Sequence, residues 1–412
     1  MSLQNLFGIS AALFFGLALC VPSGYSYGAV LFIFLSLIGI KKWFSGGFDT
    51  NTLWLAAVVV LMGMAWSHSF NGIATMSGSD AWAKYGLAAF CILAVSKIGF
   101  NQSFVSWGVA VGGIGALGVA VFQYLVLGMD KATGHTNAIQ YGGLAMYLGI
   151  AAWTLALLGK NTNTSAWALW MGGACSVLAA LLSGTRGAWI VAPLLVFFLL
   201  LWMCQFGRAR LVVISVLGMS ALVAAMVLPY GEKFYSRANL AVIEYQHYIE
   251  NPAQAAESSI GQRLEQWRLA GAMWKEKPLF GWGIEGIVSG KKSYVDQGLA
   301  HPSVMNYGHA HNEIMDMLAK RGMLGLLILL LFYAIPLVIF WPSLSRIEKI
   351  PAEVKNKILG IRAAASLLPI AYFGFGWTQV FFAHNSGNMF YLFAIVSFWG
   401  ALQYLEHGNK GD

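Results

Sequence analysis

Long apolar runs broken by short polar connections fill most of the 412-residue chain. They predict twelve spanning segments, at about 5–21, 27–40, 52–67, 82–98, 103–127, 139–159, 164–182, 187–205, 209–229, 322–342, 359–380 and 386–404. Most approach the roughly 20 apolar residues that a bilayer-crossing helix needs, the second and third being the shortest. One polar stretch, 230–321, interrupts the series. The expected fold is therefore an all-α integral membrane protein of about twelve transmembrane helices with one large helical loop. Residues 1–229 hold nine spans, 230–321 the loop, and 322–412 three more spans and a polar tail, making one membrane domain.

The loop has a helical pattern of its own. Arg237 to Glu250 carries Leu240, Ile243 and Tyr248 among polar residues and stops at Asn251-Pro252, as an amphipathic helix on the membrane or the bundle would. A second helix is expected from near Ser259 to about Lys275, with Gln262 completing a capping box and Leu264, Trp267, Ala270 and Trp274 as its apolar stripe. Phe280-Gly281-Trp282-Gly283 then reads as a turn. Two helices and a turn would form a lid over one face of the bundle. In the fifth span, Gly108 and Gly112 have the spacing of close helix packing.

Composition agrees with a membrane setting: 58% of residues are hydrophobic and 10% charged, with a mean hydropathy of +0.65. Basic residues set the orientation. With the N-terminus inside, the inner connections hold twelve: Lys41, Lys42, Lys97, Lys160, Arg208, Arg210, Arg346, Lys349, Lys355, Lys357, Arg362 and Lys410. The short outer connections hold three, Lys84, Lys131 and Arg186. Both termini are thus expected inside and the large loop outside. The first span lacks a basic flank and a cleavage site and reads as a retained anchor. The net charge of +8 reflects topology, and no basic stripe interleaved with aromatics suggests a nucleic-acid partner. Cys20, Cys91, Cys175 and Cys204 lie in apolar segments without CxxC spacing, as buried hydrophobes do.

The candidate chemistry gathers at the outer rim. His311 is placed in the first turn of a helix expected over 309–320, where exposed N–H groups disfavour an added positive charge and keep the ring able to accept a proton. Glu313 and Asp316 act in the opposite sense, and a carbonyl-bonded interfacial histidine is the structural alternative. Arg186, in the short connection Ser183-Gly184-Thr185-Arg186-Gly187, is costly beside hydrocarbon unless it faces a cavity or an anion, or snorkels. Its planar fork suits phosphate oxygens. Arg263 opens the second loop helix against local preference and has Trp267, not an acid, four residues on. Arg268 and Lys275 read as solvated or near headgroups. His309 and His311 form an HxH pair, but two such residues on a helix do not face each other, so no metal site is expected. Trp267, Trp274, Trp282 and Tyr307 offer either a sugar-stacking surface or an aromatic belt. Most spans carry no ionisable residue in mid-membrane, unlike gradient-driven transporters.

His311-Asn312, nine residues, then Gly322 and Gly325 resembles the loop-exit motif of O-antigen ligases. Arg263-x3-Trp267, Pro278-Leu279-Phe280-Gly281-Trp282-Gly283 and Ser183-Gly184-Thr185-Arg186-Gly187 resemble other blocks of the wider ligase/polymerase superfamily, across about 180–330. The resemblance implies a metal-independent glycosyltransferase without cofactor or nucleotide, on the periplasmic face of a bacterial inner membrane. Its donor would be a glycan on undecaprenyl diphosphate and its acceptor a sugar hydroxyl of lipid A–core. Arg186 and Arg263 would hold the diphosphate, His311 would be the base, and Asn312 and Trp267 would complete the substrate-binding set. A compact chain favours the ligase over the longer protein oligosaccharyltransferases. An O-antigen polymerase is the nearest rival, and a lipid-linked glycan flippase the rival of another class.

Overall fold

The computed structural model describes residues 1–69, 76–159, 162–208, 235–236, 239–240 and 242–407; the span expected at 209–229 lies outside them, as does part of the first loop helix, Arg237 included. Every regular element among the described residues is helical. The bundle comprises α1 (Leu3–Leu17), α2 (Gly24–Ile38), α3 (Thr50–Ser69), α4 (Met76–Ile98), α5 (Ser103–Val121, continued by a π turn), α6 (Ala138–Leu158), α7 (Asn163–Leu182) and α8 (Arg186–Gln205). After the loop helices α9 (Ser259–Glu276) and α10 (Gly283–Asp296) come α11 (Glu313–Phe340), α12 (Ala352–Phe375) and α13 (Asn385–His407). Nine of the described helices are long and apolar enough to cross a membrane, while α1 and α2 are shorter apolar helices. The protein is a multi-pass helical membrane protein.

The helices α6, α12 and α13 form the bundle's interior: their most apolar stretches are 89%, 94% and 83% buried, against 33% for α8 at the edge. Helix α5 joins α1 to α7 through its glycines. A Cβ on Gly112 would lie 2.2 Å from the Phe15 carbonyl oxygen, and one on Gly113 2.1 Å from that of Gly172. The small residues therefore set how closely these backbones approach, as their spacing predicts.

Beneath the end where α12 finishes and α13 begins lies an aromatic cluster. The Tyr372 ring lies 4.8 Å from Tyr391 and 5.4 Å from Phe382, and Phe332 lies 4.7 Å from Tyr391. The Tyr372 and Tyr391 hydroxyls donate to the carbonyls of Gly387 and Phe332, so these buried polar atoms are satisfied. This floor fixes the 376–384 turn, which carries Gln379 and His384.

The loop has its own small core of Leu269, Ala270, Met273, Ile287, Val304 and Ala319. It departs from expectation in four ways. First, α9 buries Gly261, Glu265, Gln266, Leu269, Ala270 and Met273, so of the anticipated stripe only Ala270 is buried. Polar Glu265 and Gln266 are tolerated inside because they are bonded: Glu265 accepts from Tyr248, Arg268 and the His301 N–H, and Gln266 donates to the Val304 carbonyl. Arg268 is thus an ion-pair partner of Glu265 at 2.6 Å rather than simply solvated. Second, the cap of α9 is Ser258, one residue before the expected position; its hydroxyl accepts the Gly261 N–H. Third, α10 follows the Gly turn, so the lid has a further helix. Fourth, the short helix expected over 309–320 and the span expected from 322 are one helix, α11, which starts at Glu313 and breaks at Gly322. Residues 313–321 are helical, and seven of them are buried: Glu313, Asp316, Met317, Leu318, Ala319, Lys320 and Arg321.

The break in α11 at Gly322 (φ +65°, ψ −162°) joins loop and bundle. Main-chain bonds tie the 278–283 turn across it: Met323 N–H to the Pro278 carbonyl (2.7 Å), Leu324 N–H to Leu279 (3.2 Å) and Trp282 N–H to Ala319 (2.9 Å). A Cβ at Gly322 would meet the Leu279 carbonyl carbon at 2.3 Å, and one at Gly281 (φ +68°) the Lys320 carbonyl carbon at 2.4 Å. Both positions need glycine for its conformation and for its lack of a side chain.

Candidate active site

Three elements converge at the end of the bundle where α8 and α11 begin. Arg186 is the first residue of α8 and is exposed. Before it, Gly184 takes a left-handed conformation, and the Ser183 and Thr185 hydroxyls bond to each other at 2.8 Å. The helix start has no side-chain cap, so its leading N–H groups and the guanidinium together favour an anion.

Arg263 stands in the first turn of α9, half-buried, with no acidic partner among the described residues. Burial first, and then the positive charge of Arg186, lower its affinity for a proton. Two guanidinium groups close enough to repel, without a carboxylate to balance them, leave a site that a diphosphate would neutralise.

His311 is not in a helical turn. The helix starts two residues later, and His311 holds φ +52°, a left-handed conformation rare for a non-glycine residue and costing about 1–3 kcal/mol. Its neighbours impose that shape. Asp316 accepts the Ala310 N–H at 3.0 Å, His309 Nδ1 accepts the His311 N–H at 3.3 Å, and Asn312 caps α11 by accepting the Met315 N–H at 3.1 Å. Two lysines hold the preceding carbonyls: Lys291 donates to Tyr307 (2.9 Å) and Lys320 to Gly308 (2.8 Å). Lys291 also donates to Gln266 and to the Val304 carbonyl.

The His311 ring is packed edge-on against Tyr307 (4.6 Å between centroids) and His309 (4.3 Å), and Nδ1 meets Gln379 Oε1 at 3.2 Å. Nε2 has no hydrogen-bond partner among the described residues. Burial and then the charge of Arg263 lower the proton affinity of the ring, against a raising effect of the Gln379 bond. The imidazole is therefore held neutral through its surroundings rather than through a helix terminus. Burial and the His311 ring lower His309 further, to about 4. Burial, with the charge of Lys320, also lowers Lys291, to about 8.

Arg186, Arg263 and His311 thus form one chain of interaction, with Arg263 in electrostatic reach of both others. Asn312, expected to touch substrate, is 3% exposed and turned into the fold as a helix cap. Trp267 is half-buried one turn beyond Arg263, and its Nε1 has no partner. Sequence reasoning missed Gln379, His384, Lys291 and Lys320. His384 lies 6.0 Å from His309 between ring centroids, its Nε2 buried and unpartnered. Despite this histidine cluster, no three His, Cys, Asp or Glu among the described residues are arranged to hold a metal ion.

A Haemophilus influenzae protein described as uncharacterised is similar along almost its whole length, 26% identical over 399 residues that cover 94% of this chain and 96% of the relative. A family model described as O-antigen ligase matches residues 171–330. That stretch takes in α8, α9 and the start of α11, with Arg186, Arg263 and His311 all inside it. The match supports membership of the O-antigen ligase/polymerase superfamily, through the part of the chain that carries all three residues.

Proposed function

We propose that the protein is an O-antigen ligase, transferring glycan from undecaprenyl diphosphate to a sugar hydroxyl of lipid A–core on the periplasmic face of the bacterial inner membrane. Both termini are then cytoplasmic and the α9–α10 lid is periplasmic. What supports the reading is that Arg263 is in electrostatic reach of both Arg186 and His311, whose imidazole is biased towards its neutral form, at one end of a membrane bundle.

The reaction is a single in-line displacement. The acceptor hydroxyl gives its proton to His311 as its oxygen bonds to the anomeric carbon. The bond from that carbon to the diphosphate oxygen breaks on the opposite face, and the electron pair leaves with the lipid diphosphate. The anomeric centre inverts, and the lipid diphosphate is released. Charge building on the leaving group is met by Arg186 and Arg263, which is the work a divalent metal does elsewhere. A positioned base contributes about 10² to 10⁴ in rate. Asn312 serves by starting α11 directly after the base, and Trp267 offers an aromatic face one turn beyond Arg263.

The test combines purified full-length protein, lipid-linked glycan and rough lipopolysaccharide, with and without EDTA. His311→Ala should abolish transfer in protein that still inserts and unfolds normally, and EDTA should leave the rate unchanged. Full activity of His311→Ala removes the base, while loss with EDTA that added metal restores removes the metal-free mechanism. Glycan profiles of cells lacking the protein separate ligase from polymerase. Long chains left on undecaprenyl diphosphate support the ligase; single repeats attached to lipopolysaccharide mean a polymerase.

A further inference from the structure

We infer that Gln379 is a positioning residue that sets the tautomer of His311, keeping the proton on Nδ1 and the lone pair on Nε2. The inference rests on reading His311 as the base. Its evidence is a double contact on one atom. Gln379 Oε1 lies 3.2 Å from His311 Nδ1, and the same oxygen accepts the Val380 N–H at 3.2 Å. A backbone N–H can bond only to an acceptor, so the amide oxygen must occupy this position. Turning the amide would set an NH₂ group against the Val380 N–H. An oxygen held there accepts and never donates, so Nδ1 carries the hydrogen and the other ring nitrogen takes up the incoming proton.

The surroundings make this assignment rigid. Gln379 is 4% exposed, in the turn fixed by the aromatic floor. Tyr307 and His309 pack against the imidazole ring and oppose its turning over. The charged and titratable groups around His311 are Arg263 from α9, Lys291 from α10 and Asp316 from α11, with His309 and Tyr307 in its own loop. His384 stands behind His309. None of them bonds to Nδ1, so the tautomer is assigned to Gln379 alone. A neutral amide suits the task better than a carboxylate. It orients the ring without adding the negative charge that would keep the imidazole protonated.

The experiment uses full-length protein, labelled with ¹⁵N-histidine and held in lipid nanodiscs, with His311→Asn identifying the His311 signals. The wild type should show a protonated Nδ1 and a bare Nε2 at His311. In Gln379→Met the two tautomers should mix, and kcat for glycan transfer should fall by about 10- to 100-fold, part of what a positioned base supplies, with KM kept. Gln379→Glu should restore the tautomer and move the acid limb of the rate profile to higher pH. Nε2 protonated in the wild type, or an unchanged tautomer in folded Gln379→Met, overturns the inference. If Gln379→Met does not fold, Gln379→Glu with an unmoved acid limb overturns it equally. The two readings fail separately: activity surviving in His311→Ala removes the base, and the nitrogen spectra still report the tautomer.

Discussion

Residues 278–283 and 307–312 are both polar or glycine-bearing loop segments packed on the first turns of α11, yet they are built in opposite ways. The 278–283 turn is joined to α11 by main chain: its carbonyls accept the N–H groups of Met323 and Leu324, and Gly281 and Gly322 let the backbones touch. The 307–312 segment is held by side chains instead: Lys291, Lys320 and Asp316 take its backbone groups, leaving its imidazole rings presented. The first segment locks the lid to the bundle. The second uses that locked lid as the support for a strained histidine. A motif residue can thus be needed for its backbone in one place and for its chemistry a few ångströms away.

The largest expected effect falls on the backbone segment. Gly322→Ala forces a side chain into left-handed backbone, at about 1–3 kcal/mol, and places its Cβ against the Leu279 carbonyl. Folded protein recovered from membranes should largely disappear. Gly308→Ala, whose Cβ would meet nothing within 4 Å, should unfold within about 0.5 kcal/mol of the wild type. Thermal unfolding in detergent checks both, and a normal Gly322→Ala would mean that the two backbones do not meet as described.

The next effect separates two arginines of α9. Arg263→Ala should cost about 10² to 10³ in transfer rate, the usual loss for one donor to a developing charge. Arg268→Ala should leave the rate intact and lower stability, because it strips a bidentate partner from Glu265. That carboxyl is itself buried, which would raise it, but hydrogen bonds from Arg268, Tyr248 and the His301 N–H hold it down to about 2. Parallel initial-rate and unfolding measurements on the two variants decide. Equal loss of rate in both would deny Arg263 a special place.

Much of this architecture is legible in the chain, and what is hidden has physical causes. Apolar run length locates every described span, because a bilayer leaves the backbone few alternatives, and misses by more than a few residues only the polar starts of three helices, at Met76, Glu313 and Ala352. Helix α10 is concealed by Gly283, Gly286 and Gly290, which lower helix propensity and here allow close contacts, Gly290 against Met273 and Trp282. The charged run Glu313–Arg321 reads as a helix of the outer loop, and its burial is what the sequence hides: Lys320 pairs with Asp316 and Arg321 lies 3.7 Å over the Trp66 ring. Arg186, Arg263 and His311 are recognisable by residue type. Gln379 is not, since its partner is 68 residues away and only the fold brings the two together.

A smaller effect belongs to the lysine strapping. Lys291→Met removes a donor from Gln266 Oε1 and from the Tyr307 carbonyl, leaving these acceptors unpaired at about 1–3 kcal/mol each in the worst case, while the Val304 carbonyl keeps its bond from Gln266. The histidine loop should loosen while the 278–283 junction stays closed. Hydrogen exchange should quicken at 307–311 and not at 319–324, with a fall in kcat of about tenfold, or 1.4 kcal/mol. Equal quickening at both stretches would show that the two segments are one mechanical unit.

The smallest effect is on pH dependence, and it bears on why His311 differs from a surface histidine. Burial and the Arg263 charge lower its proton affinity in the folded protein, so the neutral form persists below the ordinary value of 6.5. Transfer needs that form, and its rate should fall on acidification only at a pH below 6.5. Stability moves in the same direction. Between 6.5 and the lower folded values, of which that of His309 is about 4, the unfolded chain binds more protons, so stability declines as pH falls through this window. The two effects are separable in time: loss of the base reverses at once when pH is restored, whereas unfolding does not. Arg263→Ala removes one lowering charge, so the acid limb of its residual activity should move up towards 6.5. A limb that stays in place would mean that burial alone keeps His311 neutral, and that Arg263 acts on the diphosphate without tuning the base.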